Sequence, residues 1–106
     1  MPDHKMPLIT FTSQTGIVAD VDAIVAANAR LSIAGWSARE TASPAGTATF
    51  RIIHGALGSG SAFVDTVELA PNESTRENYG AGIAVPDGIS IDWQAGTFEI
   101  TIRHQP

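Results

Sequence analysis

Residues Gly88 to Arg103 read GISIDWQAGTFEITIR, two alternating runs joined at Gln94-Ala95-Gly96, and this stretch constrains the fold more than any other. Side chains of an extended chain point alternately to opposite faces. Ile89, Ile91 and Trp93 therefore share one side of the first run, and Phe98, Ile100 and Ile102 share one side of the second. The other side carries Ser90, Asp92 and Gln94, then Thr97, Glu99, Thr101 and Arg103. The pattern predicts a hairpin with one dry and one wet face. Such a hairpin is marginal alone in water, so the rest of the chain must supply a second layer over its apolar face.

Similar signals recur upstream. Leu31 to Thr41 reads as a strand with a shift of face at Ala34-Gly35 that lets Ile33 and Trp36 both reach the core, because glycine inside a strand often marks a bulge. Ser43 to Gly46 is a turn by composition, and Thr47 to His54 alternates again. Gly55 to Ser61, GALGSGS, is a hairpin connection; it lacks the Lys-Ser/Thr ending and following helix of a phosphate loop. Ala62 to Leu69 is a further strand, Glu73 to Asn78 a polar connection, and Tyr79 to Val85 a short strand. Ile17 to Asn28 fits helix and strand periodicities alike, and its β-branched residues favour strand. Seven or eight short strands separated by Gly/Pro turns predict an all-β antiparallel β-sandwich, jelly-roll or immunoglobulin-like. A single domain over 17–106 is expected, preceded by a flexible N-terminal arm over 1–16. Leu8, Ile9 and Phe11 form an apolar patch there, readable as an edge strand or as a segment that docks on a capsid or another subunit.

A chain of 106 residues supports one core. Its net charge of −5 and six scattered Lys and Arg argue against a phosphate-binding surface, so no nucleic acid partner is expected. The absence of cysteine excludes disulfides, thiolate metal sites and Cys nucleophiles. No apolar run approaches the ~20 residues of a membrane helix, and MPDHKMPLITF lacks the apolar centre of a signal peptide. No membrane partner, and synthesis in the cytoplasm without export by that route, are the expectations.

Candidate chemistry is sparse. His4, His54 and His104 show no close ligand spacing, and Asp20-x-Asp22 continues into AIVAAN and not into a calcium loop, so no metal or other cofactor is expected. Asp65, Glu68, Asp92 and Glu99 could supply a carboxylate pair, but a solvated sheet face explains them more simply. No Gly-x-Ser-x-Gly turn raises a nucleophile, and no enzyme is predicted. Trp36, Trp93, Tyr79 and Phe63 could form a sugar-binding platform, but the phase of Trp93 with Ile89 and Ile91 assigns it to the core.

From Arg30 onward the order of pieces RLSIAGWSARET, ATFRIIHG, VELAPNES and GIAVPDGISIDWQAGTFEITI resembles small β-sandwich structural proteins of tailed bacteriophages; the first 29 residues fall outside the resemblance. It implies a virion protein that decorates the capsid shell, with a tail-associated or glycan-binding role as the alternative, and it brings over no catalytic residue. The implied partners are the major capsid protein and copies of the chain itself, in a symmetric oligomer such as a trimer. The implied location is the outer capsid surface, since an acidic module is repelled by packaged DNA.

Overall fold

The computed structural model describes residues 9–58 and 63–105, so Leu8, His4 and part of the GALGSGS connection lie outside the described residues. Eight strands follow one another: β1 (Thr10–Ile17), β2 (Val21–Val25), β3 (Ser32–Glu40), β4 (Ala48–His54), β5 (Phe63–Leu69), β6 (Ser74–Ala84), β7 (Ile89–Ala95) and β8 (Phe98–Gln105). They form two four-stranded antiparallel sheets, in the orders β1-β8-β3-β6 and β2-β7-β4-β5. Every connection except β4 to β5 crosses from one sheet to the other. This alternation is the strand order of a jelly roll, which the sequence pattern left open against an immunoglobulin-like order.

The predicted hairpin is corrected by this topology. β7 and β8 do not pair with each other; β7 lies between β2 and β4, and β8 between β1 and β3. The two apolar faces were read correctly, but they oppose each other across the sandwich. Phe98 of β8 stacks on Phe50 of β4, with ring centroids 3.9 Å apart and planes 10° from parallel, and Trp36 of β3 meets Phe50 edge-on at 6.4 Å. Ile33, Ile52, Leu69, Val85, Ile89, Ile91, Ile100 and Ile102 fill the remaining space between the sheets, each almost wholly shielded from solvent. Trp93 sits at the margin of this core, its indole N–H donating to the Gly96 carbonyl at 2.8 Å.

The face shift in β3 is present. Ile33 pairs with His104 and Gly35 with Arg103, so the strand holds one more residue than β8 at that point, and both Ile33 and Trp36 are buried. A side chain at Gly35 would collide with the Glu77 carbonyl and the Arg103 guanidinium, so the close approach of β3 and β6 requires glycine. Elsewhere the structure differs from expectation. Ser74 to Asn78 is not a loose connection: with Tyr79 to Ala84 it forms one long edge strand, β6, paired to β3 on either side of an irregularity. The ambiguous segment is a strand over Val21–Val25, broken by Ala23 at φ 49°.

Residues Thr10 to Ile17, placed mostly in the flexible arm by composition, form edge strand β1, in register with β8 from Thr10↔His104 to Gln14↔Ile100. Polar Thr, Ser and Gln disguise the strand because its outer face meets solvent, while Ile17 alone plugs the core. Ser90, expected on the wet face, is fully buried. Its hydroxyl donates to the Gly55 carbonyl at 2.7 Å, with the Asp22 carboxylate at 3.1 Å, and accepts the Ala23 N–H at 3.0 Å, because the irregular β2 folds over it.

Candidate functional site

The outer face of the first sheet is built by cross-strand register. Phe11 of β1 faces Arg103 of β8, which faces Gly35 of β3 and, beyond it, Asn78 of β6. The next rows read Ser13, Thr101, Ser37, Arg76 and then Glu99, Arg39, Ser74. Phe11 is 63% exposed and Ile9, just before the strand, 47%. Arg103 is held flat against the sheet, donating to Ser37 Oγ at 3.0 Å, to the Glu77 carbonyl at 3.0 Å and to Asn78 Oδ1 at 2.9 Å. Arg39 pairs with Glu99 at 3.1 Å, an exposed contact worth little in itself. A shallow depression of about 480 Å³ opens between Ser37, Arg39, Ser74, Arg76, Glu99 and Thr101. Of the candidate interface residues, Phe11 thus stands at this face's edge, Ile9 is exposed just before the strand, and Leu8 lies outside the described residues.

The arginines were scattered in sequence but are not scattered in space: three of them lie on this one face, against one glutamate. Alternation shows which face a residue takes on its own strand, and Arg39, Arg76 and Arg103 come from three strands whose neighbours only the topology reveals.

The other candidate residues are occupied structurally. Asp20 accepts the Trp93 N–H at 2.8 Å and Asp22 the Leu57 N–H at 3.3 Å, so both pin β2 and its surroundings to the sheet. Asp92 faces Arg51 at 3.7 Å on the outer side of the second sheet, whereas Glu99 lies outside the first, so these two carboxylates cannot share a substrate. His54 accepts the Asp87 N–H at 3.2 Å, and His104 shares a 2.8 Å hydrogen bond with Thr12 of β1 while burial lowers its pKa. Among the described residues no three His, Asp or Glu side chains converge as metal ligands. The aromatic residues do not form a platform: Trp36 is buried, and Phe63 lies on the outside of the second sheet beneath the Arg51 guanidinium, 4.9 Å from the ring centre.

Two polar devices close the sandwich. Trp36 Nε1–H donates to Tyr79 Oη at 2.9 Å, and the Tyr79 hydroxyl donates to Asp65 Oδ2 at 3.0 Å, bridging β3 and β6 to β5 of the opposite sheet. Burial pushes the Tyr79 pKa up to about 12; the Trp36 N–H acts against this, and the Asp65 carboxylate adds to it. At the other device the buried Glu40 carboxylate accepts the backbone N–H groups of Asn72 at 2.8 Å, Ala42 at 2.7 Å and Gly46 at 3.2 Å. The Asn72 hydrogen bond lowers its pKa most, burial opposes, and the Ala42 and Gly46 bonds add to the lowering. Alternation alone could not single out Glu40, since its partners come from two separate turns.

A depressed carboxylate pKa contributes stability that is present above the unfolded-state value and lost as pH falls through the folded one. Glu40→Gln is therefore expected to lower the urea midpoint at pH 7, with the gap to the wild type closing as pH falls below the ordinary carboxylate range. A gap that stays constant with pH would show that the charge of Glu40 plays no part.

No protein-family model matches the chain, and neither does any curated protein. Among solved structures, the Tobacco streak virus coat protein is similar at 11% identity and a TM-score of 0.48, over 98% of this chain and 91% of that one. A chain of the Bacillus endospore appendages, which form disulfide-linked pili, is similar at 17% identity and a TM-score of 0.34, over 99% and 95%. The molecule is defined by its own strand order as an eight-stranded jelly-roll sandwich.

Proposed function

We propose that this chain is a non-enzymatic virion structural protein that decorates and stabilises the outer surface of a phage head. The observation that carries the reading is the edge of the first sheet, where Phe11 stands exposed on a hydrogen-bonded strand opposite Arg103, with Ile9 exposed just before it. Exposed aromatic residues rimmed by polar groups are typical anchors of protein contacts. The resemblance of residues 30–106 to phage structural proteins supports the same reading, and jelly rolls are used in viral capsids, though a fold alone does not assign a role. The net charge of −5 favours the outer surface, away from packaged DNA. Ile9 and Phe11 serve as the contact residues of this edge, and several weak contacts acting together hold each copy on the shell, with a trimer as the natural symmetric unit.

Because β1 belongs to the sheet, the test uses point substitutions in place of removing residues 1–16. Wild-type protein is expected to co-sediment with phage capsids stripped of their decoration protein, and Ile9→Ser with Phe11→Ser to weaken that binding at least about tenfold, the loss of an anchor worth over 1 kcal/mol, while the melting temperature holds. Binding to tails, with capsids ignored, would sink the proposal. The depression lined by Ser37, Ser74, Thr101, Arg39 and Arg76 favours one second reading, a carbohydrate-binding module on the tail or capsid, because hydroxyls and guanidinium groups can bond sugar oxygens. Glycan-array binding that Arg76→Ala removes would select it.

A further inference from the structure

The outer faces of the two sheets carry opposite charge. On the first, Arg39, Arg76 and Arg103 face solvent with Glu99 as the one acid among them. On the second, Asp92 of β7 lies opposite Arg51 of β4, Glu68 of β5 lies opposite Thr49 one row along, and Asp22 of β2 lies beyond Ser90. Each face also bears one exposed phenylalanine, Phe11 on the first and Phe63 on the second. Most of these charges are satisfied within the molecule: Arg39 by Glu99, Arg51 by Asp92, and Arg103 by Ser37 and Asn78. Arg76 and Glu68 differ. Both are exposed, and neither side chain makes a hydrogen bond or ion pair among the described residues.

We propose that the outer face of the first sheet docks on the outer face of the second sheet of another copy, with Arg76 of one molecule meeting Glu68 of the next. The charge complementarity selects a second copy as occupant, since the chain itself presents the acidic surface that its basic face requires. The contact is heterologous, with different patches on the two molecules, so repetition yields a closed ring or an open row. Four strands about 4.8 Å apart and about 20 Å long give a face of roughly 400 Å². That is half of the roughly 800 Å² per partner of a stable interface, so the association is weak in solution and becomes effective only when copies are held side by side. This rests on the reading of the chain as a self-associating structural protein, and it names the surfaces used.

Sedimentation velocity over a wide concentration range, at low and at high salt, tests the proposal on the full chain. The wild type is expected to show a sedimentation coefficient that rises with concentration at low salt and less so at high salt, because exposed charges are screened. Arg76→Glu and Glu68→Lys are each expected to abolish the rise, while an equimolar mixture of the two variants restores hetero-association and the double variant restores self-association. A wild type that stays monomeric throughout overturns the inference, as does a double variant that remains dissociated. Loss of association in Arg76→Glu with none in Glu68→Lys overturns it too, since the basic face would then meet some other acidic surface. Capsid co-sedimentation by the wild type is read separately, so a failure of self-association and a failure of the decoration role are told apart.

Discussion

Phe50→Ala is expected to remove about 3–5 kcal/mol of stability, the range for emptying a fully packed aromatic site. Phe50 is completely shielded, lies flat against Phe98 of the opposite sheet at 3.9 Å and receives the edge of Trp36. Its removal therefore leaves a cavity between two sheets that hydrogen bonding holds rigid, and neither sheet can collapse into the gap without breaking its ladder. Against a total of about 5–15 kcal/mol for a domain, such a loss brings the protein close to unfolding at ambient temperature. Ile100→Ala, on the same inner layer, is expected to cost about 2–5 kcal/mol, whereas Asp92→Ala removes only a partly exposed ion pair worth about 0–1 kcal/mol. Trp93→Ala falls below Phe50→Ala, because Trp93 is only half-buried. Urea midpoints of the four variants check the ordering. Equal losses for Ile100→Ala and Asp92→Ala would mean that the assignment of inner and outer faces is wrong.

Gly96→Ala is expected to be strongly destabilising, although it lies outside the aromatic core. The chain leaves the second sheet at Ala95 and enters the first at Phe98, and Gly96 makes that step at φ 81°. A Cβ there would overlap the Thr47 carbonyl oxygen and the Ala48 Cα, both backbone atoms that cannot rotate away. The left-handed conformation costs an L-residue about 1–2 kcal/mol, and the overlap adds about 1–3 kcal/mol as in an overpacked core. Gly16 is the control: it has φ 63° but nothing within 4 Å of a built Cβ, so Gly16→Ala pays the conformational cost alone. Thermal melting of both variants separates the two contributions. Identical losses would show that the close approach at Gly96 relaxes without cost.

How much of the candidate site could be read beforehand follows from the same distinction between local and non-local information. Ile9 and Phe11 stood out because apolar residues in a polar stretch are visible without knowing any neighbour. Whether the patch is an edge strand or a docking segment was left open, because the hydrogen bonds of β1 go to β8, some ninety residues away in sequence. The arginine face and the Glu40 clamp were invisible for the same reason, each gathering groups from three separate segments.

The sequence by itself determined which side of β3, β4, β7 and β8 is dry, since that follows from a period of two and the solvation of each side chain. It also determined the bulge at Ala34-Gly35 and the all-β class. Only the tertiary structure decided pairing. The run from Gly88 to Arg103 shows why: an alternating pair of strands with a glycine between them is compatible with a hairpin in one sheet or with a crossing between two. Both arrangements bury Ile89, Ile91, Phe98, Ile100 and Ile102. Their energies differ in what lies against those residues and in what the backbone at Gly96 touches, and Phe50 and Ala48, which settle both, belong to a strand roughly fifty residues upstream.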